Sequence, residues 1–68
     1  MAFREWFIDK RKSLGMSQRV FAKKSGISYP TIVSWECGKR KAGINSWIKL
    51  SRIFKVKVDE IRKIIESN

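Results

Sequence analysis

Few residues of this chain are suited to covalent or acid–base chemistry. Cys37 is the only cysteine and there is no histidine. That leaves no Cys/His nucleophilic pair, no thiolate–imidazole metal set and no imidazole to move protons near neutral pH. Ser46-Trp47-Ile48-Lys49 has the spacing of a Ser-x-x-Lys nucleophile, but the motifs that accompany it are missing and 68 residues are too few for the fold that uses it. Cys37, with no base to activate it, reads as a small packing residue. The chain is therefore expected not to be an enzyme and to need no metal, cofactor or small-molecule ligand. Positive charge is what it has in quantity: 16 Lys and Arg against 6 Asp and Glu give a net charge of +10 and a pI near 10.4. Such a chain is suited to binding a polyanion, and nucleic acid is the first candidate.

The charge is laid out unevenly. Between Lys10 and Lys57 the only acid is Glu36, whereas the other five acids lie near the two ends. A device for solubility alone would intersperse both signs, so the cationic middle reads as a docking face. The plain alternative is a solvated basic surface with no specific partner. Hydrophobic residues at 43% and aromatics at 12% suffice for a modest core and are too many for a disordered tail. One small domain spanning residues 1–68 is expected, and so small a domain is expected to gain stability as a homodimer. The single Cys fits a reducing, cytoplasmic setting. The N-terminal residues alternate charge with apolar side chains and lack the apolar run of a signal peptide or membrane span, so no membrane partner is expected.

The elements that must present this charge can be read from the glycines and the caps. Phe3, Phe7 and Leu14, with Lys10 or Arg11 between them, form the buried stripe expected of a first helix ending near Gly15. Ser17 is a natural N-cap for a second helix, Gln18 to Lys24, although Val20 at the third position rules out a capping box. Gly26 supplies a turn, and Ser28 caps a third helix, Tyr29 to Cys37, with Pro30 tolerated in its first turn. Asn45 is the expected cap of a fourth helix that puts Trp47, Leu50 and Phe54 on one side. Asp59 and Glu60 favour the start of a fifth through the helix dipole, running to about Glu66. The alternating stretch Ile53 to Val58 resembles a strand, but a lone strand has nothing to pair with, so it reads as a helix end and an extended link. The expected fold class is all-α, a compact bundle of five short helices. Trp6, Ile8, Ile48, Ile64 and Ile65 exceed what a minimal five-helix core needs and are either extra core or a self-association surface.

Gln18 to Trp35 has the spacing of two helices joined by a tight turn. Ala22 lets them cross closely, Gly26 takes the left-handed turn, and Phe21, Ile27, Ile32 and Trp35 form the wedge between them. With these, Leu14-Gly15-Met16-Ser17-Gln18, Ser25-Gly26-Ile27-Ser28, Thr31-Ile32, Trp35-Glu36, Gly38-Lys39-Arg40-Lys41 and Val56, Val58-Asp59, Ile61 resemble the helix-turn-helix family of Cro and lambda-repressor type. The resemblance covers roughly residues 3 to 61. It implies a lambda-repressor-like domain whose third helix enters the major groove of double-stranded DNA, usually as a homodimer on a two-fold symmetric operator. It further implies phosphate contacts from Ser17, Gln18, Arg19 and Ser28 around the starts of the two helices, from Lys23 at the turn between them, and from Lys39, Arg40 and Lys41 in the loop that follows. Lys24 flanks the turn beside Lys23. Tyr29, Pro30, Thr31, Val33 and Ser34 lie on the outward side of the third helix, because Ile32 and Trp35 must point inward, and are expected to meet base edges. The family often carries Gln, Asn or Arg there. In this chain the side chains on offer are hydroxyls, a valine and a proline, so shape and thymine-methyl contacts are expected to weigh more. The resemblance also implies a structural ion pair between Arg11 and Glu36.

The function expected is sequence-specific DNA binding by a transcriptional regulator: a repressor or Cro-like switch, an antitoxin, or a restriction-modification controller. A protein-interaction or RNA-binding adaptor of the same fold is the alternative. A membrane-active peptide would need one uninterrupted amphipathic helix, which Gly15, Gly26, Gly38 and Gly43 preclude. Lys55 stands where the family favours a glycine after the fourth helix, so that helix either ends in a strained residue or ends differently.

Overall fold

A computed structural model describes residues 2–67. Five helices follow one another: α1 (Phe3–Ser13), α2 (Gln18–Ser25), α3 (Tyr29–Glu36), α4 (Ile44–Phe54) and α5 (Val58–Glu66), and no strand occurs among the described residues. α1 and α2 both pack on α3, α2 also meets α4, and α5 lies against α4. The stretch from Ile53 to Val58 is, as expected, a helix end followed by an extended link.

The core is an aromatic cluster that the helical periodicity delivers to one place. Phe3, Trp6 and Phe7 share a face of α1, and Phe7 sits among the rings of Phe3, Phe21, Trp35 and Phe54 at centroid distances of 5.2–6.0 Å. Those with Phe21, Trp35 and Phe54 are edge-to-face, the arrangement ring quadrupoles favour. Ile27, Ile32, Ala42, Leu50 and Ile61 complete the core, with Met16, Ala22, Trp47, Ile64 and Ile65 partly buried against it. Of the surplus apolar residues, Trp6 is therefore core, Ile64 and Ile65 are partly so, and Ile48 is exposed beside an exposed Ile44.

Side-chain caps set the starts of α2 and α3. Ser17 Oγ accepts from the Val20 N–H at 3.1 Å, and Ser28 Oγ from the Thr31 N–H at 3.3 Å. Gly26 closes α2 with φ +75°, where a side chain would be strained. α1 begins without a side-chain acceptor at Ala2, but the Glu5 carboxylate accepts from the Ala2 N–H at 3.2 Å.

Four expectations need correction. Leu14 is not part of the buried stripe: it is the C-cap of α1 and 43% exposed. Arg11 takes the last buried position instead, its guanidinium bonded to the Glu36 carboxylate and the Met16 carbonyl, and the helix ends before Leu14 can reach the core. Asn45 is not the cap of α4. The helix starts from Gly43, because the Trp47 indole N–H donates to the Ala42 carbonyl at 2.8 Å and holds that carbonyl, with a buried Ala42, at the helix entrance. α2 runs one residue past Lys24 to Ser25, and α3 stops at Glu36 with Cys37 as its C-cap. At the end of α4, Lys55 adopts the left-handed conformation, φ 55° and ψ 44°. The helix thus ends where the family's glycine would end it, with a lysine in the strained place.

Candidate nucleic-acid interface

α3 is oriented by what it buries. Ile32 is 0% and Trp35 2% exposed, while Pro30 is exposed and Tyr29, Thr31, Val33 and Ser34 are half-buried on the remaining faces. The segment after Gly26 is pinned at Ile27, whose N–H donates to Ser25 Oγ at 3.0 Å and whose side chain is core. The Ser28 and Thr31 hydroxyls lie 2.6 Å apart, so an expected phosphate ligand and an expected base contact are partners of one another in the unbound fold.

The one acid of the basic stretch is neutralised from inside. Arg11 Nε donates to Glu36 Oε2 at 2.8 Å and Arg11 Nη2 to Oε1 at 3.0 Å, with both side chains 9% exposed. Arg11 Nη1 donates to the Met16 carbonyl at 2.8 Å, and the Gln18 amide donates to Glu36 Oε1 at 3.0 Å. The predicted ion pair is present and ties α1, the start of α2 and the end of α3 together. Gln18, expected at a phosphate, has its side-chain amide engaged in this network. The electrostatic consequence is that α2 and the loop after α3 turn cations toward solvent, with no unpaired carboxylate between them. The remaining acids lie on α1 and α5, where Asp59 and Glu66 pair with Arg62.

Arg19, Lys23 and Lys24 are exposed along α2, and Lys39, Arg40 and Lys41 are exposed in the loop after α3. The loop is folded back on the helix, since the Lys39 and Arg40 N–H groups donate to the Ser34 carbonyl at 3.0 and 3.3 Å. Lys41 departs from the others: its ammonium donates to the Ile65 carbonyl at 3.1 Å, toward the C-terminal end of α5.

A helix-turn-helix family model matches residues 8–61. The chain belongs to the helix-turn-helix family. This is the Cro and lambda-repressor type, a class of DNA-binding transcription regulators, and the five helices among the described residues, with no strand among them, agree with it. Comparison with the curated proteins and with the solved structures found no match. In this helix-turn-helix domain two relationships were not legible from residue types. Arg4 Nε donates to the Glu36 carbonyl at 2.9 Å, a further clamp on the end of α3, and the Arg19 guanidinium lies over the Tyr29 ring, 4.4 Å from its centroid. The second joins the start of α2 to the start of α3, and adjacency of those two ends in the motif is the only signal that pointed to it.

Proposed function

We propose that residues 1–68 form one domain that binds double-stranded DNA in a sequence-dependent way and regulates transcription by occupying an operator. Repressor, Cro-like switch, antitoxin and restriction controller are all roles this mechanism serves. The observation that carries the reading is the orientation of α3: Ile32 and Trp35 are locked into the core, so Pro30, Val33 and Ser34 face away from it, beside exposed cations on α2 and in the following loop. With α3 in the major groove, Val33 offers a methyl contact to thymine and Ser34 a hydroxyl to a base edge. The N-terminal ends of α2 and α3, with Ser17, Arg19, Lys23 and Ser28, face one phosphate ridge, and Lys39 and Arg40 the other. Gln18 joins them through its position at the first turn of α2, and Lys41 by shifting its ammonium from Ile65. The reading includes a homodimer on a two-fold symmetric site, in the cytoplasm and on the nucleoid.

The test is selection of bound duplexes from a random pool by the full chain. The expected product is a two-fold symmetric site with half-sites about 34 Å apart. Binding without any enriched duplex, or preference for RNA or an acidic protein, would replace this reading with the adaptor of the same fold.

A further inference from the structure

The outer face of α2 and α3 is short of groups that identify a base pair through two hydrogen bonds. Pro30 and Val33 carry no side-chain donor. The Thr31 hydroxyl pairs with Ser28, and the Gln18 amide donates to Glu36. Tyr29 and Ser34 offer one hydroxyl each. Arg19 is different. It is the second residue of α2, exposed, with its guanidinium carbon 4.4 Å from the centroid of the Tyr29 ring at the first position of α3. Among the described residues that guanidinium has no hydrogen bond or ion pair. Contact with a ring face is attractive and narrows the rotamers of a long side chain, while the N–H groups along the guanidinium edge stay open. The ring that holds it stands at the N-terminal end of α3, the end that helix-turn-helix docking brings to the base edges. A planar fork of donors held there matches guanine O6 and N7 in the major groove.

We propose that Arg19 is the group of this domain that reads a base by two hydrogen bonds, taking a guanine at the edge of each half-site, and that Tyr29 is a positioning residue whose ring holds Arg19 in place. This rests on the duplex-binding reading above, and it moves Arg19 from phosphate to base and Tyr29 from base to support.

The experiment is the duplex selection repeated with the full-length Arg19→Lys, Arg19→Gln, Tyr29→Phe and Tyr29→Leu variants, each checked by circular dichroism for unchanged helicity. The wild-type chain is expected to fix a G·C pair in each half-site. Arg19→Lys keeps the charge and loses the fork, so preference at that pair should fall about tenfold while the other positions and the salt dependence stay as they were. Tyr29→Phe keeps the ring and should match wild type, whereas Tyr29→Leu should move toward Arg19→Lys. Two results overturn the assignment. If Arg19→Lys keeps every base preference while Arg19→Gln lowers the salt slope by about one, Arg19 contacts a phosphate. If Tyr29→Phe alone erases a preference, the tyrosine hydroxyl is the reader. A wild-type chain that enriches no sequence fails at the earlier step, and the duplex-binding reading falls together with this one.

Discussion

Arg11 and Glu36 are 25 residues apart in the chain and meet through two parallel hydrogen bonds of 2.8 and 3.0 Å, almost out of contact with water. A buried ion pair is weak evidence of net stability, because desolvation offsets much of the attraction, but removing one partner leaves the other charged and unsatisfied. In this fold the orphan would be surrounded: Glu36 would keep only Gln18, and Arg11 only the Met16 carbonyl. Glu36→Ala or Arg11→Ala should therefore destabilise the domain by about 3–5 kcal/mol. For so small a domain that removes most of the stability, so equilibrium urea unfolding at low temperature is the suitable measurement. A loss below about 1 kcal/mol would mean that the pair behaves as an exposed one.

Lys55 holds a left-handed conformation at the end of α4. Glycine adopts it without the Cβ penalty, so Lys55→Gly should stabilise the protein by about 0.5–1 kcal/mol after the entropic cost to the unfolded chain. Calorimetry should show Tm rising by roughly 4–8 °C per kcal/mol. An unchanged or lower Tm would show that the lysine chain contributes contacts outweighing the strain.

Asp59 contributes to the acid limb of stability. Hydrogen bonds from Arg62, and then from Lys63, hold the Asp59 carboxyl below its ordinary value of 3.8, and Asp59 in turn raises Arg62. A carboxyl depressed in the folded state adds stability that is complete above the unfolded value. It is lost as pH falls from about 3.8 through the lower folded value. Asp59→Asn should flatten the stability profile in that window and leave it unchanged near neutrality apart from a small offset. Because the cluster is exposed, the difference should shrink in high salt. Equal slopes of stability against pH in the two proteins below about pH 4 would remove the assignment.

How DNA binding responds to salt should count the cations at the interface. With about six phosphates neutralised, log affinity is expected to fall against log salt concentration with a slope near −5, and replacing both Lys39 and Arg40 with Ala should reduce its magnitude by about 2. A slope near zero in the wild-type chain would remove the electrostatic basis of the interface.

The parts of this protein that could be read from its sequence are those fixed by local chemistry. Ser17 and Ser28 cap helices because a hydroxyl there meets an orphan N–H, Gly26 ends α2 because only glycine is easy at that φ, and the aromatic stripe of α1 follows from its spacing. Readings failed where a distant side chain decided the outcome. Leu14 was displaced from the stripe by a buried arginine whose partner is on α3, and the start of α4 was drawn back to Gly43 by an indole bonding to Ala42. The interface divides in the same way. That Val33 and Ser34 turn away from the core follows from burying Ile32 and Trp35, but the engagement of Gln18 with Glu36, of Lys41 with Ile65 and of Arg19 with Tyr29 depends on how helices meet.

The most direct test that α3 lies in the major groove compares Val33→Ala/Ser34→Ala with the wild-type chain on the selected duplex and on a scrambled one at the same salt concentration. Affinity for the selected duplex should drop toward that for the scrambled one, by about 2–6 kcal/mol if both contacts are made, with affinity for the scrambled duplex unchanged. Equal loss on both duplexes, or no loss on either, would contradict it.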